Sequence, residues 1–239
     1  RIDYNQIKFE DKFFESDSLD YRTDYKSLTP LFGYKYQLNK RLASFVNYTT
    51  HFETPTLYEI GNSSGLNSQQ NVVGEIGFVA KNNLSEYGEI VLFKSKITNE
   101  IIPFEMENEP GRSYFKNAGS TKREGIELSL RKKVTQKSNL QLIHTFTNYR
   151  FVNFNYDGNM LNGNYFPAIP RYFGKINFFN QLNDNSEFDL EIYYAGKVFL
   201  DDNNTASNKG YMLTSLKVNR KLLIFERLAA IFCYIENIF

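Results

Sequence analysis

From Thr121 to Lys133 the chain alternates without a break, with Ile126, Leu128 and Leu130 on one side and Glu127, Ser129 and Arg131 on the other. A repeat of two is the signature of a β-strand, whose successive side chains point to opposite faces. A strand of a dozen residues is long for a soluble domain, where about 5–6 is usual. A tilted strand needs about 9–11 residues to cross the hydrocarbon core of a bilayer. One apolar face and one charged face, on a strand of that length, is the pattern of a membrane-spanning β-barrel.

The alternation recurs along the chain. Phe32, Tyr34, Tyr36 and Leu38 oppose Leu31, Gly33, Lys35 and Gln37, and Phe188, Leu190, Ile192 and Tyr194 oppose Glu187, Asp189, Glu191 and Tyr193. Eleven strands are expected, at about 1–13, 24–38, 41–52, 71–82, 87–102, 120–134, 140–152, 171–182, 187–198, 211–221 and 228–237. The pattern assigns no faces in 87–102 or 211–221. No segment of eight or more residues shows a capped 3.6-residue period, so the fold class is all-β: an antiparallel transmembrane β-barrel fragment.

The connections alternate between short and long. Short polar turns are expected at Asn39-Lys40, Asn82–Ser85, Thr135–Asn139, Asn183–Ser186 and near Phe225–Arg227, and longer loops at Glu15–Arg22, Glu53–Gln70, Phe104–Ala118, Phe154–Ala168 and Phe199–Gly210. Outer-membrane barrels carry short turns on the periplasmic side and longer loops outside. Pro55, Pro103, Pro110, Pro167 and Pro170 lie in or beside the longer loops and Pro30 near a strand start, away from hydrogen-bonded interiors. Aromatics gather at strand ends (Phe13-Phe14, Tyr48, Phe52, Tyr149, Phe151, Tyr165-Phe166, Tyr193-Tyr194), as interfacial girdles require. A propeller would show shorter strands and Trp-Asp or kelch marks, and this chain has no tryptophan. A sandwich would turn about every 8–12 residues.

A net charge of +1 gives no electrostatic case for nucleic acid. No apolar run approaches the roughly 18 residues of a membrane helix. A mean hydropathy of −0.47 is compatible with a barrel, because a strand shows lipid only every second residue. The one cysteine, Cys233, has no disulfide partner and reads as a buried bystander in an apolar strand. No signal peptide precedes Arg1-Ile2-Asp3-Tyr4, which reads as mid-strand, so an N-terminal part is expected to be missing.

Several segments, in order, resemble the C-terminal half of the barrel of TonB-dependent outer-membrane receptors of the ferric-siderophore type. They are Ser27–Tyr34 with Tyr36-Gln37-Leu38, Phe45–Phe52 followed by Pro55–Glu59, Glu75-Ile76-Gly77, Asn99–Phe104 with Gly111-Arg112, Asn117-Ala118-Gly119 and Gly125–Leu128, then Pro167 with Ile169-Pro170-Arg171, and Glu236–Phe239. The resemblance implies about 11 strands of a 22-stranded barrel, fitting the family's strands 11–21, with residues 1–239 as one partial barrel domain. The family's plug domain, TonB box, first half-barrel and last strand have no counterpart here. A lone fragment could not close its sheet, and open edges are not tolerated in lipid.

No catalytic constellation is present and no enzyme activity or cofactor is expected. His51, His144 and Cys233 make no metal spacing, and Asp201-Asp202-Asn203-Asn204 lacks the spaced carboxylates of a calcium loop, reading instead as a polar extracellular loop. The resemblance implies capture of a scarce, bulky nutrient, most readily a ferric siderophore, and uptake driven by the TonB complex; the other partner is outer-membrane lipid. Loop candidates for ligand contact are Tyr58, Arg112, Tyr114, Lys116, Tyr165 and Phe166, because arginine and aromatics suit an anionic, aromatic-rich chelate. For Arg112 and Tyr114 a structural part, in a motif that shapes the loop and girdle, is the reading that comes first. The alternatives are a glycan importer, a passive porin or adhesin barrel, and a soluble all-β glycan-binding module.

Overall fold

A computed structural model describes residues 2–11, 21–83, 86–105, 109, 111–156 and 159–238. The expected aromatic pair Phe13-Phe14, loop residues 15–20, turn residues 84–85, loop residues 106–108, 110 and 157–158, and Phe239 lie outside the described residues. In chain order the elements are β1 (Ile2–Asp11), β2 (Tyr21–Gln37), β3 (Leu42–Glu53), α1 (Leu57–Asn62), β4 (Gln69–Asn83), β5 (Glu86–Glu105), β6 (Ser113–Lys133), β7 (Ser138–Asn153), β8 (Asn155–Tyr156), β9 (Asn159–Met160), β10 (Tyr172–Asn183), β11 (Ser186–Ala195), β12 (Val198–Phe199), β13 (Ser207–Asn208), β14 (Tyr211–Ile224) and β15 (Arg227–Ile235). The eleven long strands form one antiparallel sheet in the order β1-β2-β3-β4-β5-β6-β7-β10-β11-β14-β15. Every neighbour in the sheet is a neighbour in sequence among the long strands, so the topology is an unbroken meander.

The register settles the faces. Leu92 sits opposite Ile126, which sits opposite Phe146; one step down, Ile90, Leu128 and His144 share a row. Because directly opposed residues lie on the same side of a sheet, one face carries Phe32, Tyr34, Val46, Tyr48, Ile76, Phe78, Ile90, Leu92, Ile126 and Leu128, and continues through Ile176, Leu190, Leu216 and Cys233. We call this face outward. Its large apolar side chains are exposed, with Ile76 at 45% and Leu92 at 47%, which is the inverse of a water-soluble protein. The inward face carries polar pairs among apolar residues such as Val91 and Phe93: Asn47 donates to Glu75 at 3.2 Å, Lys175 pairs with Glu191 at 2.5 Å, and Asn219 donates to Glu187 at 3.1 Å. The same rows resolve the two strands whose faces the sequence left open, with Ile90 and Leu92 outward on β5 and Leu216 and Val218 outward on β14.

Two glycines let aromatic rings lie flat on the sheet. At Gly125 a Cβ would come within 2.7 Å of the Phe93 ring, on the inward face. On the outward face, Gly174 sits between His144 and Tyr194 and leaves room for their rings to stack at 5.8 Å, with the His144 Nδ1 and Tyr194 hydroxyl sharing a 2.7 Å hydrogen bond. Each of these two polar groups thus has a partner where lipid would offer none.

Three expectations are corrected. Cys233 is exposed, because the apolar face of its strand is the outward face rather than a core. The loop expected at Phe104–Ala118 is mostly a continued hairpin: β5 and β6 pair from Glu100↔Ala118 to Glu105↔Ser113, with Pro103 inside the ladder opposite Phe115. Tyr114 and Phe115 favour strand, which carries the pairing on to Ser113. The girdle assignment holds for Tyr48, Phe52 and Tyr194 on the outward face, but Tyr149 points inward and Phe151 is buried. One short helix, α1, interrupts the β-structure; it opens on a capping box in which the Thr56 hydroxyl accepts from Glu59 N–H and the Glu59 carboxylate accepts from Thr56 N–H.

Candidate functional site

Short connections (38–41, 134–137, 184–185, 225–226) fall at one end of the sheet and long ones at the other. The end with long connections holds the packed cluster of buried side chains among the described residues. Phe151, Phe154 and Leu161 bury one another, joined by Ile102 and Phe166; Phe151 stacks on Phe166 with ring centres 4.5 Å apart. The loop crown is therefore fixed by its own apolar core, as a rigid platform for contacts above it.

Two of the long loops are pinned, one to a neighbouring strand and one to a neighbouring loop. The Asn117 side chain bridges Asn67 and Asn99, accepting from Asn67 N–H at 2.8 Å and donating to the carbonyls of Asn67 at 2.9 Å and Asn99 at 2.7 Å. The Ser63 hydroxyl accepts from Phe115 N–H at 2.6 Å, and Tyr58 meets the Phe115 ring edge-on at 5.6 Å. On the far side, Asn204 substitutes for a strand: its amide accepts from Tyr165 N–H at 2.7 Å and donates to Tyr165 C=O at 2.8 Å. Asp201 closes the same loop by accepting from Thr205 N–H at 3.0 Å and Ala206 N–H at 2.6 Å, which hold its carboxyl below the usual range. That carboxylate is occupied by backbone donors. The adjacent Asp202 is pushed up by burial and then by Asp201.

The six residues expected at the ligand surface divide into four places. At the hairpin tip, Arg112 pairs with Glu109 at 3.3 Å and lies 5.0 Å over the Tyr114 ring. The Tyr114 hydroxyl donates to the same Glu109 carboxylate, which raises its pKa, with burial adding to the rise. Strand alternation puts Tyr114 and Lys116 on one face of the ribbon, and Phe115 with its partner Tyr58 on the other. Tyr165 and Phe166, though adjacent, also diverge. Tyr165 stands opposite Arg150, stacks on Phe199 at 5.8 Å and lies under Arg150 at 4.0 Å and Arg171 at 5.0 Å. Phe166 turns into the buried cluster, where Arg123 lies 5.3 Å over its ring.

Sequence reading missed the half-buried group beneath the crown. Glu100 on β5 receives hydrogen bonds from the Thr121 hydroxyl and the Arg123 guanidinium on β6, and Arg123 also lies 5.8 Å over Tyr149. Thr121 is fully buried, and Glu100 is 12% exposed in its side chain. The Arg123 Nε is buried without an acceptor among the described residues. The partners are 23 residues apart and meet only through the hairpin register. Lower on the inward wall, an open trough of about 570 Å³ is bounded by Asp189, Glu191, Ser215, Lys217, Asn219 and Tyr234. No cluster of three metal-ligating side chains occurs among the described residues.

Comparison with known proteins matches this architecture. The family model described as TonB dependent receptor-like, beta-barrel, covers residues 1–237. Among solved structures, the ferric yersiniabactin uptake receptor FyuA from Yersinia pestis aligns with a TM-score of 0.71 at 14% identity, over 92% of this chain and 33% of its own. The siderophore receptor PiuA from Acinetobacter baumannii aligns at 0.71 and 17% identity, over 92% and 33%. The ferric preacinetobactin receptor BauA from the same organism aligns at 0.73 and 13% identity, over 99% and 35%. The chain thus spans about a third of the length of these receptors, and at such identities the likeness is one of fold. Its meander of long strands, outward apolar face and polar inward wall are those of the family matched along almost its whole length: the chain belongs to the TonB-dependent receptor β-barrel family of the outer membrane.

Proposed function

We propose that residues 1–239 form part of the barrel domain of a longer receptor that captures a ferric siderophore outside the cell and imports it with energy from the TonB complex. The observation carrying this reading is the family match over residues 1–237, supported by structural neighbours described as siderophore uptake receptors. In this reading the protein is a transporter rather than an enzyme, and iron is its cargo. The polar inward wall would face a plug domain and the passage beside it.

Capture would fall to the crown. Arg112, Tyr114 and Lys116 offer cation and ring at the hairpin tip, with Tyr58 on the neighbouring helix; Tyr165 borders Arg150 of β7 and Arg171, and Phe166 lies beneath, against Arg123 of β6. A guanidinium pairs with carboxylate or catecholate oxygens through its planar fork and stacks on ligand rings, while tyrosine adds ring area and a hydroxyl. Arg112 already shares its charge with Glu109, so ligand oxygens would have to compete with one exposed carboxylate, an exchange that costs little at a surface pair.

The test is uptake of radioiron chelates by iron-starved cells lacking the intact gene. Loss of uptake for one chelate class, restored by the gene, is expected. Unchanged uptake of every chelate offered would refute iron as the cargo. Restored uptake that persists without TonB would instead indicate a passive channel.

A further inference from the structure

On the outward face, two rows above the apolar belt at the loop end, three cations stand in one row. Lys96 on β5 lies directly opposite Lys122 on β6, and Lys122 lies directly opposite Arg150 on β7. The row beneath is Lys94, Glu124 and Asn148, and the row beneath that is the apolar line Leu92, Ile126 and Phe146. Like charges placed directly opposite across strands destabilise a sheet, and here two such pairs are consecutive. Among the described residues the upper two rows hold four cations (Lys94, Lys96, Lys122, Arg150) and one carboxylate, Glu124, which pairs with Lys122 at 2.7 Å and accepts from Asn148 at 2.9 Å. No carboxylate of the described residues pairs with the exposed Lys96.

Arg150 is rigidly held. Its Nε donates to Asn148 at 2.9 Å, one terminal nitrogen donates to Gly163 C=O at 2.7 Å and the other to the Tyr165 hydroxyl, and its charge lies over the Tyr165 ring. Arg171 adds a further cation beside Tyr165 and Phe146. The patch therefore joins the exposed Lys94 and Lys96, the half-buried Lys122, a fixed guanidinium and aromatic rings at the depth where hydrocarbon gives way to headgroups, which is where amphipathic rings and cations settle.

We infer that Lys96, Lys122 and Arg150, flanked by Lys94, form an outward-facing site for a phosphate-bearing lipid of the outer leaflet, and that the lipid phosphate neutralises the row of opposed cations. The occupant is a lipid rather than a free anion, because the cations sit on the lipid-facing side, two rows above exposed Leu92 and Ile126, where acyl chains would cover the apolar row while the headgroup meets the charges. Tyr165, which could also meet a ligand from its loop, stands in this site as a headgroup-level ring.

The test uses the intact receptor reconstituted into phosphatidylcholine nanodiscs with and without diphosphorylated lipid A, with bound lipid read by native mass spectrometry. The Lys96→Gln/Lys122→Gln receptor should hold lipid A roughly thirtyfold more weakly, about fivefold for each cation removed beside an anionic lipid. Glu124→Gln, which removes the competing carboxylate, should tighten it, and Lys217→Gln on the inward wall should leave it unchanged. Retention by wild type should also fall as salt rises. Equal lipid retention by wild type and the double variant would overturn the inference. So would salt-insensitive retention in wild type, a readout that needs no variant to fold. Displacement of the lipid by inorganic phosphate at comparable concentration would identify a free-anion site and overturn the lipid assignment.

Discussion

Leu128 lies at the centre of the outward belt of β6, between Leu130 and Ile126 and in one row with Ile90 and His144. Its chain neighbour Ser129 points inward, in a row with Glu89 and Ile143. Arginine at the two positions places the same charged side chain on the same strand, 1 residue apart, so the comparison reports chiefly on the face. At Leu128 the guanidinium would enter hydrocarbon near the midplane, which costs about 2–4 kcal/mol. That cost corresponds to about a 30- to 900-fold shift in the folding equilibrium. At Ser129 it would meet Glu89 across the strand, and the change should stay within about 0.5 kcal/mol, as for an ordinary exposed substitution. Urea titration of the intact receptor folded into phosphatidylcholine vesicles, followed by tyrosine fluorescence and gel mobility of the folded form, measures both. Equal losses at the two positions, or a larger loss at Ser129, would refute the assignment of faces along β6 and with it the whole row of residues the register ties to Leu128.

Other substitutions probe separate contacts. Gly174→Ala would put a Cβ 2.5 Å from the Ile143 carbonyl and 2.6 Å from the Tyr194 hydroxyl, so a loss of about 1–3 kcal/mol is expected; Gly74→Ala, whose nearest atom is 4.0 Å away, should melt like wild type. Asp201 has a depressed pKa through its bonds to Thr205 and Ala206 N–H, so its contribution to loop order is present above the ordinary carboxyl range and lost as pH falls through the depressed value. Protection of the Thr205 and Ala206 amides, taken against their intrinsic exchange rates at each pH, should fall on that descent, and Asp201→Ala should show the lower protection already at neutral pH. Glu109→Gln should bring the raised Tyr114 titration back toward that of an exposed tyrosine, read by ultraviolet difference spectra. A double-mutant cycle of Glu100→Gln and Arg123→Met should give a coupling of about 1–3 kcal/mol for this half-buried charged hydrogen bond.

The strands were legible because lipid on one side and a polar wall on the other force a strict period of two, and Ile126, Leu128 and Leu130 show it without any partner. β5 and β14 were less so: Val91, Phe93 and Ile97 are inward and apolar while Ile90 and Leu92 are outward, and only the register with Leu128 and Ile126 tells them apart. Helix α1 escaped a search for 3.6-residue periodicity because six residues are too few to show one, although Thr56-Leu57-Tyr58-Glu59 carries the capping-box spelling. The hairpin tip was readable for the same local reason, since Arg112 and Tyr114 are two residues apart on one chain. Glu100 with Arg123, and Arg150 with Tyr165, were beyond reach because their meeting depends on hairpin register and loop path. Lys96 and Lys122 looked like ordinary solvated lysines until the pairing set them face to face.

Nitroxide labels introduced one at a time from Ser120 to Lys133, in the intact receptor in vesicles, would report the accessibility of each position to oxygen, which concentrates in lipid, and to a water-soluble nickel chelate. Labels at 126, 128 and 130 should show high oxygen and low nickel accessibility, and labels at 125, 127, 129 and 131 should lack that lipid signature. Reversed phases, a 3.6-residue period or uniform access to the nickel chelate on both faces would contradict a sheet that forms the wall of an outer-membrane barrel.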